Sequence, residues 1–353
     1  GPGAFRALGY SHLQGGTGHG QQAGAMSSRR QFITGLGALA ACSLAAPVSA
    51  RNSAALTATD VHVKDYPTVK AVEWLGRELA RETDGRLSIH QYHSGQLGRE
   101  SEAIDMVRFD AIDITRVYSG GLNNAFPLTR ALCLPYVFDS VAHQRRVLDG
   151  EVGSLVLDGF ATRGLIGLAI YDCGARSFYN TRRPIFTPKD MHGLKLRVPL
   201  SDIFMQLIRD FGANPTPLAY GEVFSALQTH LIDGAENNIK SFHSSRQFEA
   251  AHYWSNTEHS YAPDVLVMSK RRFDALAPSD RERLRRLSAQ SVGVMRKLWD
   301  ESAEASLLAL QAAKLHINDV DLPAFRKASE PVLSYYRRDA AIDSLYRAIR
   351  KMA

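Results

Sequence analysis

Residues 190–238 constrain this chain more than any other stretch, because their punctuation leaves room for one local architecture. Gly193 ends a turn, after which Leu194, Leu196 and Val198 alternate with Lys195 and Arg197, the period of a strand with one buried face. Pro199 stops that strand. Asp202, or Ser201, is placed to cap a helix whose apolar residues Phe204, Leu207, Ile208 and Phe211 recur at i, i+3, i+4 and i+7. Gly212 follows where a left-handed C-terminal residue is wanted. A short segment with Pro215 and Pro217 leads to a second helix bearing Val223, Phe224 and Leu227. The apolar pair Leu231 and Ile232 and the turn Asp233–Gly234 then deliver Ala235, Glu236 and Asn237. Arg197 thus leaves the end of one strand and Asn237 the end of a later one. In an open α/β sheet both ends face the crevice where ligands bind.

The rest of the chain reads the same way. Residues 54–65 supply a first strand, and Pro67 starts a helix through Val69, Val72, Leu75 and Leu79 that stops at Asp84–Gly85. Residues 87–90 form a strand, a helix carries Glu102, Ile104, Met106 and Val107, and residues 111–116 form another short strand. Residues 132–138 are too apolar for a surface loop and cross the core. A helix is expected over 141–163 and buried strands over 164–171 and 265–268. Strands alternating with helices predict a mostly parallel α/β sheet. Ser279-x-x-Glu282 reads as a capping box opening a helix that runs on toward Leu310, roughly 50 Å at 1.5 Å per residue. That is longer than one small domain, and 353 residues favour two domains over one.

Composition excludes more than it assigns. Three arginines and no acid fall in residues 1–50, leaving +3 of the net +6 for the remainder, too little to point to nucleic acid. Past residue 50 only Cys133 and Cys173 remain, without CxxC or Cys/His ligand spacing, so no metal is expected. They read as separately buried thiols, with a disulfide in an oxidising compartment as the alternative. No G-x-S-x-G elbow, H-E-x-x-H, P-loop or EF-hand loop occurs. Glu222 and Glu236 could form a general acid/base pair, but the plainer reading has Glu222 decorating a helix start and Glu236 backing a cleft residue. Arg197 and Arg176 stand after strands beside helix starts or a glycine, where anions are favoured, and a guanidinium can bind a carboxylate through two parallel hydrogen bonds.

Residues 1–25 are rich in Gly and Gln and are expected to be a disordered extension, with Met26 the expected natural start. Ser28–Arg29–Arg30–Gln31–Phe32–Ile33, an apolar run to Ala46 and the small-residue site at 48–50 together resemble a twin-arginine export signal. Within the same run, Leu39-Ala40-Ala41-Cys42 offers the alternative of a lipoprotein anchored at Cys42. Gly35-x-Gly37-x-x-Ala40 formally matches a dinucleotide fingerprint, but no strand precedes it.

Taken together, GQLG at 95–98, LPYVF at 134–138, GLKLRVP at 193–199, GANPTP at 212–217, GEVF at 221–224, ALQT at 226–229 and DGAEN at 233–237 resemble the solute-binding subunits of tripartite ATP-independent periplasmic (TRAP) transporters. The resemblance covers the chain after the leader. It implies a two-lobed α/β periplasmic binding protein fold with hinge strands and a long helix spanning both lobes, closing on an organic acid without catalysis or cofactor. The expected partition is a leader over 1–50, lobe I over 51–173 with 263–303, and lobe II over 174–262 with 304–353. By position in the family's motifs, Arg197 would hold the ligand carboxylate, with Arg176 and Asn237 in the cleft and Glu102, Arg116 and Tyr220 as further substrate-binding candidates. YDCGARSFY at 171–179, AENN at 235–238 and TEH at 257–259 look most like a branch associated with glucuronate and galacturonate, although Ile239 stands where that branch would have tryptophan. The implied partners are a sugar acid and TRAP membrane subunits, the implied compartment the periplasm, and the expected state a monomer. Two other classes are an exported enzyme acting on a carboxylate and a receptor serving a sensor.

If the leader uses the twin-arginine route, replacing Arg29 and Arg30 with lysine should abolish accumulation in the periplasm. Unchanged periplasmic levels on fractionation would exclude that route.

Overall fold

The structure is a computed structural model that describes residues 54–353, and the leader readings over residues 1–50 lie outside the described residues. Eleven strands follow in chain order: β1 (Ala54–Thr59), β2 (Leu87–Tyr92), β3 (Ile114–Tyr118), β4 (Leu165–Tyr171), β5 (Arg176–Asn180), β6 (Lys195–Val198), β7 (Asn214–Pro217), β8 (Gly234–Asn238), β9 (Tyr253–Ser260), β10 (Asp264–Ser269) and β11 (His316–Asp319). They make two sheets, ordered β2-β1-β3-β10-β4 and β11-β9-β5-β8-β6-β7. Within each sheet one strand runs against its neighbours: β10 is antiparallel to β3 and β4, and β5 is antiparallel to β8 and β9.

Those two strands are the ones that follow the crossings between the sheets. The chain leaves the first sheet at Tyr171 and enters the second at Arg176, then leaves the second at Ser260 and re-enters the first at Asp264. The registers place the crossings side by side, since Tyr171 pairs with Asp264 and Arg176 with Ser260. The C-terminal ends of β1 and β3 and the start of β10 therefore face the C-terminal ends of β6 and β8 and the start of β5. That juxtaposition makes the crevice.

Local chemistry explains most elements. Pro67 occupies the first turn of helix Pro67–Glu82, where its missing N–H costs nothing, and Val69, Val72, Leu75 and Leu79 are buried beneath it. Helix Asp202–Asp210 buries Ile203, Phe204, Leu207 and Ile208, each contributing about 1.5–3 kcal/mol, and Gly212 follows at φ +86°. The long helix Pro278–Ala312 spans 35 residues and packs against helix Pro67–Glu82 and β4 of the first sheet and helix Ile239–Ser244 beside the second. The C-terminal helix Ala340–Lys351 packs against helices Arg130–Cys133 and Glu151–Gly159, on the first-sheet side. Cys133 and Cys173 are separate buried thiols, and burial pushes the Cys133 thiol up to about 11.

Several local expectations need correction. The helix expected over 141–163 is two, Val141–Leu148 and Glu151–Gly159, because Gly150 is extended and breaks the hydrogen-bond ladder. Ser279 does not cap the long helix; Ala277 takes the N-cap and Pro278 the first turn. Ser201 is the N-cap of Asp202–Asp210 but makes no capping bond, its hydroxyl donating instead to Asn123 Oδ1 at 2.9 Å. The short segment with Pro215 and Pro217, to which the sequence assigns no element, is a strand, β7, tolerated because it lies at the sheet edge where a missing donor breaks no ladder.

Gly234 opens β8 opposite Asn180, and a Cβ there would stand 2.3 Å from the Tyr179 carbonyl oxygen. Gly234→Ala must push β8 off β5, so it should lower stability by about 1–3 kcal/mol in denaturant melts. An unchanged melt would show that this pairing adapts freely.

Candidate functional site

The crevice encloses about 370 Å³ not filled by protein atoms, open solvent included. From the first-sheet side Val61, His62, Glu100, Arg116, Tyr118 and Asp264 line it. From the second-sheet side Arg176, Arg197, Pro199, Tyr220, Asn237, Asn238 and Ser241 do. Five of the six side chains expected from sequence, Arg197, Arg176, Asn237, Arg116 and Tyr220, thus meet here. Glu102 does not: its carboxylate turns back to accept the Arg99 backbone N–H at 2.9 Å. Glu100, two residues earlier on the same helix, faces the cavity in its place. His62, Glu100, Tyr118, Asp264, Asn238 and Ser241 carry no sequence signal that separates them from other polar residues near strand ends.

Three buried guanidiniums dominate the electrostatics, each compensated differently. Arg116, the middle residue of β3, donates through Nε and Nη2 to Asp60 Oδ1 at 3.1 and 2.6 Å and through Nη1 to Glu100 Oε1 at 2.8 Å. Asp264 Oδ1 stands 3.4 Å from the same Nη1. Burial alone would raise the Asp60 carboxyl, but Arg116 and His62 more than offset it and hold it well below the ordinary carboxylate range. Arg176, at the start of β5, donates to both Glu236 oxygens, Nε to Oε2 at 2.5 Å and Nη2 to Oε1 at 2.8 Å, and to Asn237 Oδ1 at 3.1 Å. Its guanidinium also lies over the Tyr118 ring, 4.5 Å from the centroid.

Arg197 differs. It is 5% exposed, its Nε donates to the Leu218 carbonyl at 2.9 Å, and among the described residues its terminal nitrogens meet no carboxylate. Burial lowers its pKa below the usual arginine value, which still leaves the group charged at neutral pH. Asn237 uses Oδ1 as an acceptor for Arg176 and for the Asn238 backbone N–H at 2.8 Å. Its amide N–H groups have no partner among the described residues, so two donors remain beside the cavity.

Glu222 and Glu236 do not come together as an acid/base pair. Glu236 is fully buried behind Arg176 and does not line the cavity, and Glu222 lies at the rim, ion-paired with Arg99. Among the described residues no group of three or more His, Cys, Asp or Glu side chains could hold a metal ion.

Behind the site, His259 stacks on Phe178 with ring centroids 4.3 Å apart, its Nδ1 bonded to Thr257 Oγ1 at 2.9 Å and its Nε2 3.4 Å from Glu236 Oε2. Burial lowers the His259 pKa below its ordinary 6.5. Burial would raise the Glu236 carboxyl, but Arg176 outweighs it and brings the group from 4.5 to about 2. Stability from the Glu236 shift is therefore complete above pH 4.5 and is lost as pH falls toward 2; that from neutral His259 is complete above 6.5 and declines below it. Glu236→Gln should cost about 3–5 kcal/mol at pH 7, because it strands the Arg176 charge, and should flatten the acid limb below pH 4.5 in denaturant melts. A variant with the parental acid limb would show that this pair does not govern it.

The comparisons agree with this geometry. Residues 59–339 match the bacterial extracellular solute-binding protein family 7. A solute-binding protein of Chromohalobacter salexigens is 38% identical over 278 residues, covering 78% of this chain and 83% of the relative. A TRAP periplasmic solute-binding protein from a Bradyrhizobium species, solved in complex with galacturonate, superimposes with a TM-score of 0.83 at 44% identity, covering 84% of this chain and all of that one. A second, from Chromohalobacter salexigens and solved with bound D-glucuronate, gives 0.82 at 36% identity over 84% of this chain and 100% of its own. With this family match over most of its length, the chain belongs to the family 7 extracellular solute-binding proteins, the periplasmic solute-binding components of TRAP transporters.

Proposed function

We propose that the protein captures a hexuronate, D-galacturonate or D-glucuronate, in the crevice between its sheets and delivers it to TRAP membrane subunits. The observation that carries this reading is Arg197, a buried guanidinium with no carboxylate partner among the described residues. An unpaired buried charge is costly, and a ligand carboxylate would supply the missing partner through two parallel hydrogen bonds. Arg116 cannot play that part while Asp60 and Glu100 occupy it, nor Arg176 while Glu236 does. The opposite wall presents the Glu100 and Asp264 carboxylates and the imidazole of His62, acceptors suited to sugar hydroxyls. A cavity with one cationic end and one acceptor-rich end matches a sugar acid better than a dicarboxylate. The bound galacturonate and glucuronate of the structural neighbours support the same class.

In this reading Arg176 and Asn237 fix the ligand's remaining polar groups, and Arg116 and Tyr220 complete the walls. Lobe I comprises residues 51–173 with 263–303 and lobe II residues 174–262 with 304–353, the C-terminal helix reaching back to lobe I. The lobes bend about the crossings at 172–175 and 261–263. The protein reaches the periplasm through the twin-arginine route.

Calorimetry with D-galacturonate and D-glucuronate tests the assignment. Arg197→Lys retains charge but forfeits the bidentate geometry; hydrogen bonds to charged groups are worth about 1.5–3 kcal/mol each, so binding should weaken roughly 10- to 150-fold. Asn237→Ala should cost less and should change the preference between the two epimers more than it weakens either. Parental affinity in folded Arg197→Lys would place the carboxylate elsewhere.

A further inference from the structure

At the mouth of the crevice Arg99 Nη2 donates to Glu222 Oε1 at 2.6 Å. The partners come from opposite walls. Arg99 is the N-cap of helix Glu100–Arg108, between β2 and β3 of the first sheet, and Glu222 lies between β7 and β8 of the second. Each end is tied to its own backbone. Glu102 accepts the Arg99 N–H at 2.9 Å, and the second Glu222 oxygen accepts the Ala219 N–H at 3.1 Å.

Each end also adjoins a cavity-lining side chain. Next to Arg99 is Glu100, whose Oε1 accepts from Arg116 Nη1 at 2.8 Å and from the Tyr118 N–H at 3.0 Å. Two residues before Glu222 is Tyr220, whose ring faces His62 with centroids 5.1 Å apart and whose hydroxyl lies 3.4 Å from the Ser241 carbonyl. The pair therefore joins the two loops that carry Glu100 and Tyr220, and it can exist only while the walls are together.

We propose that Arg99 and Glu222 form a latch at the rim of the cleft, a positioning pair that holds Glu100 and Tyr220 over the bound ligand and slows its release. This rests on the solute-binding reading of the crevice. The two side chains are 59% and 40% exposed, so the pair is worth little in equilibrium terms and is screened by salt. Its influence falls on the dissociation rate, because the bond must break before the walls part while association proceeds from the open form.

Stopped-flow release of whichever hexuronate the parent binds, from Glu222→Gln, Arg99→Gln and the charge-reversed double Arg99→Glu/Glu222→Arg, decides the matter. Each single variant should release ligand faster, by up to about fivefold, with an association rate no slower than the parent's, and the reversed pair should recover the parental release rate. Added salt should speed release from the parent and leave the single variants nearly unaffected. Solution scattering of the ligand-free proteins gives an independent reading, with a larger radius of gyration in Glu222→Gln than in the parent and recovery in the reversed double. Parental release rates in both single variants, or no recovery by charge reversal, would overturn the latch. Failure of the parent to bind either hexuronate would instead overturn the ligand assignment, and the scattering comparison would still decide whether the rim pair holds the walls together.

Discussion

Burying a guanidinium requires something to compensate it, and the crevice is arranged around three such demands. Arg116 is met by Asp60, Glu100 and Asp264, and Arg176 by both oxygens of Glu236, so these charges are neutralised within the protein. Arg197 is held, among the described residues, by a single backbone carbonyl. The first two pairings stiffen the cleft, since removing either carboxylate partner would strand a charge in a low-dielectric setting. In the proposed reading they also keep two of the three arginines from competing for an incoming anion. If a ligand carboxylate docks as proposed, selectivity for its position comes as much from the occupied arginines as from Arg197.

This arrangement depends on two strands that run against their neighbours. β5 brings Arg176 to the crevice at its first residue, and β10 brings Asp264 there at its own. A parallel strand would deliver its C-terminal end instead. Reversal in these two strands lets the chain cross twice between the sheets and places charged residues at both crossings. The stacked His259 and Phe178 and the Arg176 guanidinium above Tyr118 pack this junction, so the electrostatics of the cleft and the mechanics of the crossing share residues.

The capping and turn chemistry shows where local rules are overridden. Ser201 has the right identity and position for an N-cap, yet its hydroxyl bonds Asn123 on the other side of the crevice. Pro215 and Pro217 are poor strand residues by propensity, yet an edge position removes the need for their missing donors. Glu102 and Glu100 sit two apart on one helix, about 200° around its axis, so they face different ways, and only the orientation of the helix decides which meets the cavity.

Several features were legible in the sequence alone because they are local. The strand at 195–198, the helix after it, the turn at Gly212 and the length of the final long helix follow from side-chain period, punctuation and rise per residue, which neighbours rarely reverse. The motif order likewise marked Arg197, Arg176 and Asn237 as residues to watch. What only the tertiary structure decided is which buried charges are already paired: Asp60 lies 56 residues from Arg116, and Glu236 lies 60 from Arg176. Periodicity carries no information across such separations, because an ion pair depends on where two strand ends arrive in space. Among the described residues, that convergence leaves Arg197 without a carboxylate partner.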